Sequence, residues 1–341
     1  MDKKISDIKD LSITECLVDN CINDLGGDFW NNFSELNVDD VRSNGYSVYY
    51  NSRYPDKRSL PDPDACSERL YEFHGVLWEK QRKQTEFLNL NIPQIVICQK
   101  SIWFKLNSKN IILGSDSFIS IYWHWQDMQF LSKEIAEYVQ NNENIMINEI
   151  KKMEGEIDNA RYNECFYNTT WDDINDYRNK LKKFIWLYLQ KSNTIGGFIV
   201  FPRVNNSINT RRGNYRGIIK DRFDLTLECI RRAYQYGDFH KNDFNPLFGI
   251  SEEEKEFFRM FGSFENYIRF FCLDAWVNKD YTAVNDLLSE DGKELLPTEG
   301  WIATDNILPK TDKQWWTFYR NIMNRLDARN RQIKEIIEKS L

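Results

Sequence analysis

The sequence predicts a mostly helical α+β protein with a small central β-sheet. Short apolar runs separated by Asn, Pro, Ser and Gly are confined largely to residues 87–118. On either side of this region, the apolar residues recur with the period of amphipathic helices. Strands gathered in one region, with helices around them, favour an α+β arrangement over alternating strand and helix units.

The elements follow in a definite order along the chain. We expect a short helix near residues 13–25, turns over residues 46–60, a helix over residues 70–80 and then the β-meander of residues 87–118. A strand over residues 195–201 is stopped by Pro202, and its two glycines, Gly196 and Gly197, are expected to permit close packing. The other predicted helices cover residues 121–140, 172–191, 218–236, 252–261, 264–277 and 313–339.

Composition and charge limit the classes of protein that fit this chain. It has 341 residues, of which 41% are hydrophobic and 15% aromatic, so it has ample material for a core. The formal net charge of -7 is concentrated in residues 1–40, which hold three lysines against ten acidic residues. The rest of the chain is neutral, which excludes a polycation that binds nucleic acid through net charge.

We predict an acidic N-terminal segment over residues 1–45 and a single α+β domain over residues 46–341, with a polar stretch inserted at about residues 141–170. The sequence shows no secretory signal and no apolar run of membrane-spanning length. Seven widely spaced cysteines favour reduced thiols in a cytoplasmic protein. The sequence contains no CxxC motif, no HExxH motif and no Cys/His cluster, so it does not predict a metal site. No motif in it identifies a cofactor.

The most informative segment is the predicted helix of residues 218–236. Two apolar stripes indicate that it is more than half buried, whereas a third stripe is polar and holds three carboxylates. The members of this polar stripe are Asp221, Asp224, Glu228, Arg231 and Gln235. One interpretation is a buried structural network in which Arg231, Arg232 and nearby arginines pair with the acids. The other is a polar pocket that orients a substrate or holds a divalent metal through oxygen ligands.

The preceding residues 203–222 carry six cationic side chains against one acid, Asp221. Gly213, Gly217 and several asparagines predict a loop that leads into a helix N-terminus. Its arginines and exposed backbone N–H groups would suit an anion such as a phosphate, a nucleotide or a nucleic-acid strand. A solvated loop that balances the acidic N-terminal segment is the alternative.

A second compact charged turn is SRYPDKRS at residues 52–59. Asp116 lies either at a strand end near a site or in an ordinary turn.

His74 lies among aromatic residues and is expected to be a core or interface histidine rather than a catalytic base. No nucleophile elbow and no Cys/His pair is present. Acid–base chemistry would therefore fall to carboxylates, and the candidate catalytic residues are Asp224, Glu228 and Asp116.

Several of these motifs together resemble an uncharacterised bacterial family of unknown function. The similar elements are SRYPDKRS; His74 with Leu77 and Trp78; Ser115, Asp116 and Ser117; residues 194–202; Asn209, Arg212 and Gly213; residues 221–232 with Tyr234; Phe264, Tyr267, Phe270, Phe271 and Asp274; and Arg329 with Asn330. The resemblance implies that the two charged turns, Asp116 and the buried helix form one constellation. It implies no activity or cofactor, and it adds a weak association with phage defence or toxin-like modules.

Three hypotheses for function follow. The first is a polar pocket for a phosphate-bearing ligand, nucleotide or nucleic-acid end. Its ligand-binding residues are Arg53, Asp56, Lys57, Arg58, Arg212, Asp221, Arg222, Arg231 and Arg232. The second is an interaction protein that forms a homo-oligomer or a protein complex, in which the charged network is structural. The third is a metal-dependent nuclease or hydrolase.

Overall fold

The computed structural model describes residues 2–3, 68–84, 90–98, 101–118, 194–204, 207–219, 222–239, 245–249, 251–295, 309 and 312–338. The helices predicted over residues 13–25, 121–140 and 172–191 lie outside these residues. So do the turns of residues 46–60 and the polar stretch of residues 141–170. The division of the chain into segments therefore stays a prediction.

The sheet is antiparallel, and its strands are neighbours in the order in which they occur along the chain. They are β1 (Asp2–Lys3), β2 (Val96–Cys98), β3 (Ser101–Leu106), β4 (Lys109–Ser117) and β5 (Phe198–Pro202). A two-residue turn joins β3 to β4, with positive φ at Asn107 and Ser108 as tight hairpins require. The predicted meander is thus confirmed for its last three strands.

Six helices surround this sheet in the part of the chain that the structure describes. They are α1 (Glu68–Lys83), α2 (Ile208–Ile219), α3 (Phe223–Tyr236), α4 (Glu252–Arg259), α5 (Phe264–Phe270) and α6 (Asp312–Glu338). The helices predicted over residues 70–80, 252–261 and 313–339 are confirmed, with small differences at their ends. The fold is α+β, as the sequence predicted.

The prediction for residues 203–222 was wrong, because most of this basic segment is helix α2 rather than a loop. The predicted single helix of residues 218–236 is likewise two helices, since α2 ends at Ile219 and α3 begins at Phe223. Gly213 had suggested a loop, yet it lies within α2 on its exposed side, where no Cβ is needed for packing. The helix forms because its buried face is fixed by Ile208 and Arg212.

Two further boundaries differ from the prediction. The helix expected over residues 264–277 ends at Phe270, because Cys272 adopts a left-handed φ of 57° that an α-helix does not allow. A 3₁₀ turn, Asp274–Trp276, follows it. The strand expected from residue 195 begins at Phe198, since Ile195–Gly197 form a 3₁₀ turn, and Pro202 is its last residue.

The solvent exposure of the strand residues decreases across the sheet from β3 to β5, and the site lies at the buried end. In β3 and the first half of β4, buried residues lie between half-buried or exposed ones, so one face of the sheet is more covered than the other. From Leu113 to Asp116 and throughout β5, the residues are buried on both faces. Helix α1 contacts β2 and β3, α4 contacts β4 and β5, and α2 contacts β5. The polar end of β4 is therefore enclosed by helices. No helix among the described residues is long and apolar enough to cross a membrane.

Candidate functional site

The described candidate residues fall along one path from the end of β4 to the last turns of α3. Asp116 lies in β4, Arg212 in α2, Arg222 at the N-cap of α3, and the others on α3 itself. The alternative of an ordinary turn at Asp116 is wrong, because this residue pairs with Ile199 inside the sheet. The remaining candidates lie outside the described residues: Arg53, Asp56, Lys57, Arg58 and Asp221.

Arg212 and Asp116 form the first ion pair on this path. Nη1 of Arg212 lies 2.7 Å from Oδ2 of Asp116, and both side chains are almost completely buried. The same guanidinium donates to the carbonyl oxygens of Ser117 at 2.5 Å and Phe118 at 2.6 Å, and its Nε donates to Thr226 Oγ1 at 3.2 Å. Arg212 therefore joins α2, the end of β4 and α3 through one planar group.

Arg222 and two carboxylates form the second group. Nε of Arg222 donates to Asp224 Oδ1 at 2.8 Å, and its Nη2 lies 2.5 Å from Asp224 Oδ2 and 2.8 Å from Asp286 Oδ1. Asp224 also accepts from the backbone N–H of Leu287 at 3.0 Å. Burial raises the pKa of Asp286, and the negative charge of Asp224 raises it further. The positive charge of Arg222 lowers it, but by less than burial raises it. Asp286 was not among the sequence candidates.

Glu228 is the acceptor of the third group. Arg231 donates to both of its carboxylate oxygens, at 2.7 and 2.8 Å, and Arg232 Nε donates to Oε1 at 2.9 Å. Arg231 also donates to Gln235 Oε1 at 2.8 Å. The interpretation in which Arg231, Arg232 and nearby arginines pair with the acids is thus confirmed for Glu228 and, through Arg222, for Asp224.

Two arginines of α6 complete the cluster and were missed as site residues. Arg329 is buried and donates to four carbonyl oxygens, those of Phe271, Ile195, Gly196 and Phe198, at 2.6 to 3.1 Å. Within the described part of the chain, the hydrogen bonds of Arg325 are long, at 3.3 Å to Ala275 O and 3.5 Å to Asn285 O. Among the described residues, neither guanidinium has a carboxylate within ion-pair distance.

The arginines of α6 were missed because their positions look like part of a charged, solvated helix. A signal was nevertheless present in their spacing. Phe318, Ile322, Arg325, Arg329 and Ile333 follow one another at intervals of four, three, four and four residues, which is one face of a helix. Arginines within an apolar stripe are candidates for buried charge, and a search for that pattern would have found both.

An aromatic cluster separates these guanidinium groups. The rings of Phe118, Phe223 and Trp276 lie 3.9 to 5.4 Å apart between centroids. Each ring has an arginine over it, at 4.8 Å for Arg329 on Phe118, 5.1 Å for Arg212 on Phe223 and 5.5 Å for Arg325 on Trp276. The ring faces offer partial negative charge to cations that are removed from water.

The electrostatic balance of the described cluster is positive. Its six guanidinium groups belong to Arg212, Arg222, Arg231, Arg232, Arg325 and Arg329, and its four carboxylates to Asp116, Asp224, Asp286 and Glu228. Burial lowers the pKa of both Arg325 and Arg329 to about 10, although both stay protonated near neutral pH. The indole Nε1 of Trp276 is buried and has no hydrogen-bond partner in the described structure.

His74 and Ser115 form a neutral pair beside this cluster. Their Nε2 and Oγ atoms lie 3.0 Å apart, and both side chains are buried, as expected for a core histidine. Burial, and then the charge of Arg329, lower the pKa of His74 to about 3. An imidazole with so low a pKa is a weak general base, because catalytic bases have pKa values near the working pH. The pair is therefore a structural contact rather than a catalytic dyad.

Cys229 of α3 and Cys272, which follows α5, are both buried. Burial raises the pKa of each thiol to about 12, so neither is a nucleophile at neutral pH. Among the described residues, no group of three His, Cys, Asp or Glu side chains is arranged to hold a metal ion.

The fold and this site define the chain as an α+β protein built around a buried arginine–carboxylate network. It belongs to the family of unknown function DUF6994, whose model matches residues 47–152 and 160–333. The unmatched residues 153–159 lie within the stretch that the sequence marks as inserted. No curated protein and no solved structure matches this chain.

Proposed function

We propose that this protein binds a phosphate-bearing ligand at the Arg325 side of the arginine cluster. The observation that carries the proposal is the state of the Arg325 guanidinium. It is 7% exposed, and among the described residues it makes two long hydrogen bonds and pairs with no carboxylate. A guanidinium removed from water without strong acceptors is unfavourable, and a phosphate oxygen would supply them.

Two neighbouring features support the same ligand class. The buried Nε1 of Trp276 is a donor without a partner, and the ring of Trp276 lies beneath Arg325. Arg222 stands at the N-cap of α3, where backbone N–H groups and the helix dipole favour an anion. Donors and positive charge therefore gather at one place, as tetrahedral anions require.

The roles of the candidate residues change in this proposal. Arg212 and Arg222 orient the cluster through protein carboxylates and carbonyls, and Arg325 contacts the ligand. Asp116, Asp224 and Glu228 hold arginines in place, and no acid–base chemistry is assigned to them. Arg53, Asp56, Lys57 and Arg58 lie outside the described residues and stay predicted contacts. A nucleotide or nucleic-acid end is the finer prediction within the phosphate class.

The test uses small molecules that copurify with the protein. Ligands released by denaturation are identified by mass spectrometry from the wild type, Arg325→Gln and Arg331→Gln. Arg331 is an exposed arginine on the same helix and serves as the matched control. We expect a phosphate-bearing compound in the wild type and in the control, and at least tenfold less of it in Arg325→Gln. Identical ligand profiles in all three proteins would contradict the proposal.

A second candidate function is a non-enzymatic interaction protein with a purely structural network. It is favoured by the hydrogen bonds of Arg212, which run to a carboxylate, a hydroxyl and two carbonyls of the protein itself. Size-exclusion chromatography with light scattering tests it, and a stable oligomer without any released ligand is the expected result. The metal-dependent hydrolase and the association with phage defence stay predictions without support among the described residues.

A further inference from the structure

We infer that Asp286 is an internal substitute for the ligand, and that its carboxylate occupies the position beside Arg222 and Arg325 which the ligand's phosphate group takes. This inference rests on the proposed function and adds to it a competing group within the chain. It predicts that the site binds a dianion only when the Asp286 side chain is displaced or protonated.

Arg222 carries one positive charge but forms ion pairs with two carboxylates, those of Asp224 and Asp286. Asp224 is fully buried and pairs with Arg222 through Nε and Nη2, and it also accepts from Leu287 N, so it is a fixed part of the core. Asp286 approaches the same Nη2 at 2.8 Å through one oxygen, and its side chain is 28% exposed. Of the two acids, Asp286 is therefore the one that solvent or a ligand can reach.

The backbone at Asp286 is anchored independently of its carboxylate. Its N–H donates to Lys293 O at 2.8 Å, and Asn321 of α6 donates to the carbonyl oxygens of Leu287 at 2.9 Å and Ser289 at 2.8 Å. The side chain itself accepts from Leu288 N and Arg222. A rotation of the Asp286 side chain would release Arg222 while these backbone contacts persist.

The charges around Asp286 indicate which ligand replaces it. At the start of α3 are Arg222, which contacts it, and Asp224, whose charge raises its pKa, while the charge of Arg325 on α6 lowers its pKa. Without the Asp286 carboxylate, this group holds two guanidinium groups and one carboxylate. A tetrahedral dianion, such as a phosphate monoester or inorganic phosphate, brings more acceptor oxygens than the carboxylate that it displaces.

Protonation of Asp286 should therefore assist binding. Because burial raises the pKa of this carboxyl group, its protonated form is reached at a higher pH than that of an exposed aspartate. Phosphate itself loses a charge near pH 6, which would obscure the effect. Sulfate has the same shape and stays a dianion over this range, so it isolates the contribution of Asp286.

The experiment measures sulfate and phosphate binding by titration calorimetry between pH 5.5 and 8 in a buffer without other multivalent anions. The proteins are the wild type, Asp286→Asn and Asp291→Asn, an exposed acid of the same segment. We expect Asp286→Asn to bind sulfate about tenfold more tightly at pH 8 and with little dependence on pH, because a nearby like charge is removed. Asp291→Asn should match the wild type, whose sulfate affinity should rise as the pH falls.

The outcomes separate this inference from the proposed function. If the wild type binds sulfate and Asp286→Asn binds it equally or less tightly, Asp286 is not a competitor, although the anion site stands. If neither protein binds sulfate or phosphate, both proposals are wrong. Binding by Asp286→Asn alone supports both. If Asp286→Asn does not fold, Asp286→Ala replaces it, and sulfate binding by that variant that is no tighter than binding by the wild type overturns the inference.

Discussion

Arg212 of α2 and Asp116 of β4 form an ion pair of 2.7 Å that is almost entirely closed to solvent. The two residues are far apart in the sequence, and their pairing ties a helix to the end of the sheet. Because Asp116 and the carbonyl oxygens of Ser117 and Phe118 all accept from one guanidinium, the pair fixes the backbone direction at the end of β4. It thereby sets the position of Phe118 within the aromatic cluster.

The first prediction concerns the stability that depends on this pair. Asp116→Asn removes the charge of a buried partner that pairs with Arg212 at 2.7 Å, and we expect a loss of about 3 kcal/mol in the free energy of unfolding. Glu265→Gln is the control, because its ion pair with Arg269 is roughly half exposed and should contribute less than about 0.5 kcal/mol. Urea unfolding measures both. A loss below about 1 kcal/mol for Asp116→Asn would mean that the other contacts of Arg212 hold it in place without this ion pair.

The second prediction concerns the close approach of Gly196 to α6. A Cβ atom at Gly196 would lie 2.5 Å from Asn330 Oδ1, and this amide cannot move freely because it accepts from Gly196 N and donates to Thr194 Oγ1, each at 2.7 Å. We expect Gly196→Ala to lower the free energy of unfolding by about 1 to 3 kcal/mol.

Gly213 provides the matched control for this substitution. Nothing lies within 4 Å of a Cβ there, and the residue is in an exposed position of α2. Gly213→Ala should therefore be neutral or stabilise the protein by up to about 1 kcal/mol through helix propensity. Equal effects of the two substitutions on thermal unfolding would contradict the close contact at Gly196. The sequence had predicted close packing at Gly196, and the structure confirms it.

The sequence predicted the burial of α3 correctly because the helix itself carries the signal. Apolar residues occupy more than one stripe, and three carboxylates on the remaining stripe demand cations. That reasoning found the partners of Glu228, which lie three and four residues further along the same helix. It also placed Asp116 near the site only as one of two alternatives, since a strand end and a turn have similar sequences.

Partners that are distant in the sequence were beyond this reasoning. Asp286 lies in an irregular segment, and its approach to Arg222 depends on how α6 holds that segment through Asn321. The basic residues 203–222 were taken for a loop because they include Gly213, Gly217 and several asparagines. The burial of Arg212 within a helix depends on Asp116, which is contributed by another element. Local patterns do not encode such pairings.

The third prediction is a loss of stability in acid that depends on His74. Burial lowers the pKa of His74 to about 3 in the folded protein, against an ordinary value of 6.5. Between these values the unfolded chain binds a proton at this residue and the folded protein does not. The stability contributed by neutral His74 is therefore present above about pH 6.5 and is lost as the pH falls toward 3.

His74→Gln removes this dependence. Urea unfolding of the wild type and the variant from pH 4 to 8 gives a difference curve with a slope of at most about 1.4 kcal/mol per pH unit. We expect the slope to be confined to pH values below 6.5. A difference that is constant over the whole range would mean that His74 is protonated equally well in the folded and unfolded states.

The fourth prediction has the opposite sign and concerns Glu254. This fully buried carboxylate accepts from the backbone N–H groups of Ile208, at the start of α2, and of Gly249. No described cation lies within ion-pair distance of it, and burial raises its pKa from 4.5 to about 7. The folded protein thus holds a proton between pH 4.5 and 7 that the unfolded chain releases, so stability falls as the pH rises through this window.

Glu254→Gln separates this effect from the hydrogen bonds at the helix start. The amide still accepts one backbone N–H but meets the other with a donor, which lowers stability by a similar amount at every pH. The pH-dependent part of the difference from the wild type should therefore belong to the carboxyl group alone. It should change between pH 4.5 and 7, in the direction opposite to that of His74→Gln, and stay level above pH 7. A wild-type protein that gains stability at this group as the pH rises would show that the two backbone N–H groups favour the ionised carboxylate more than burial opposes it.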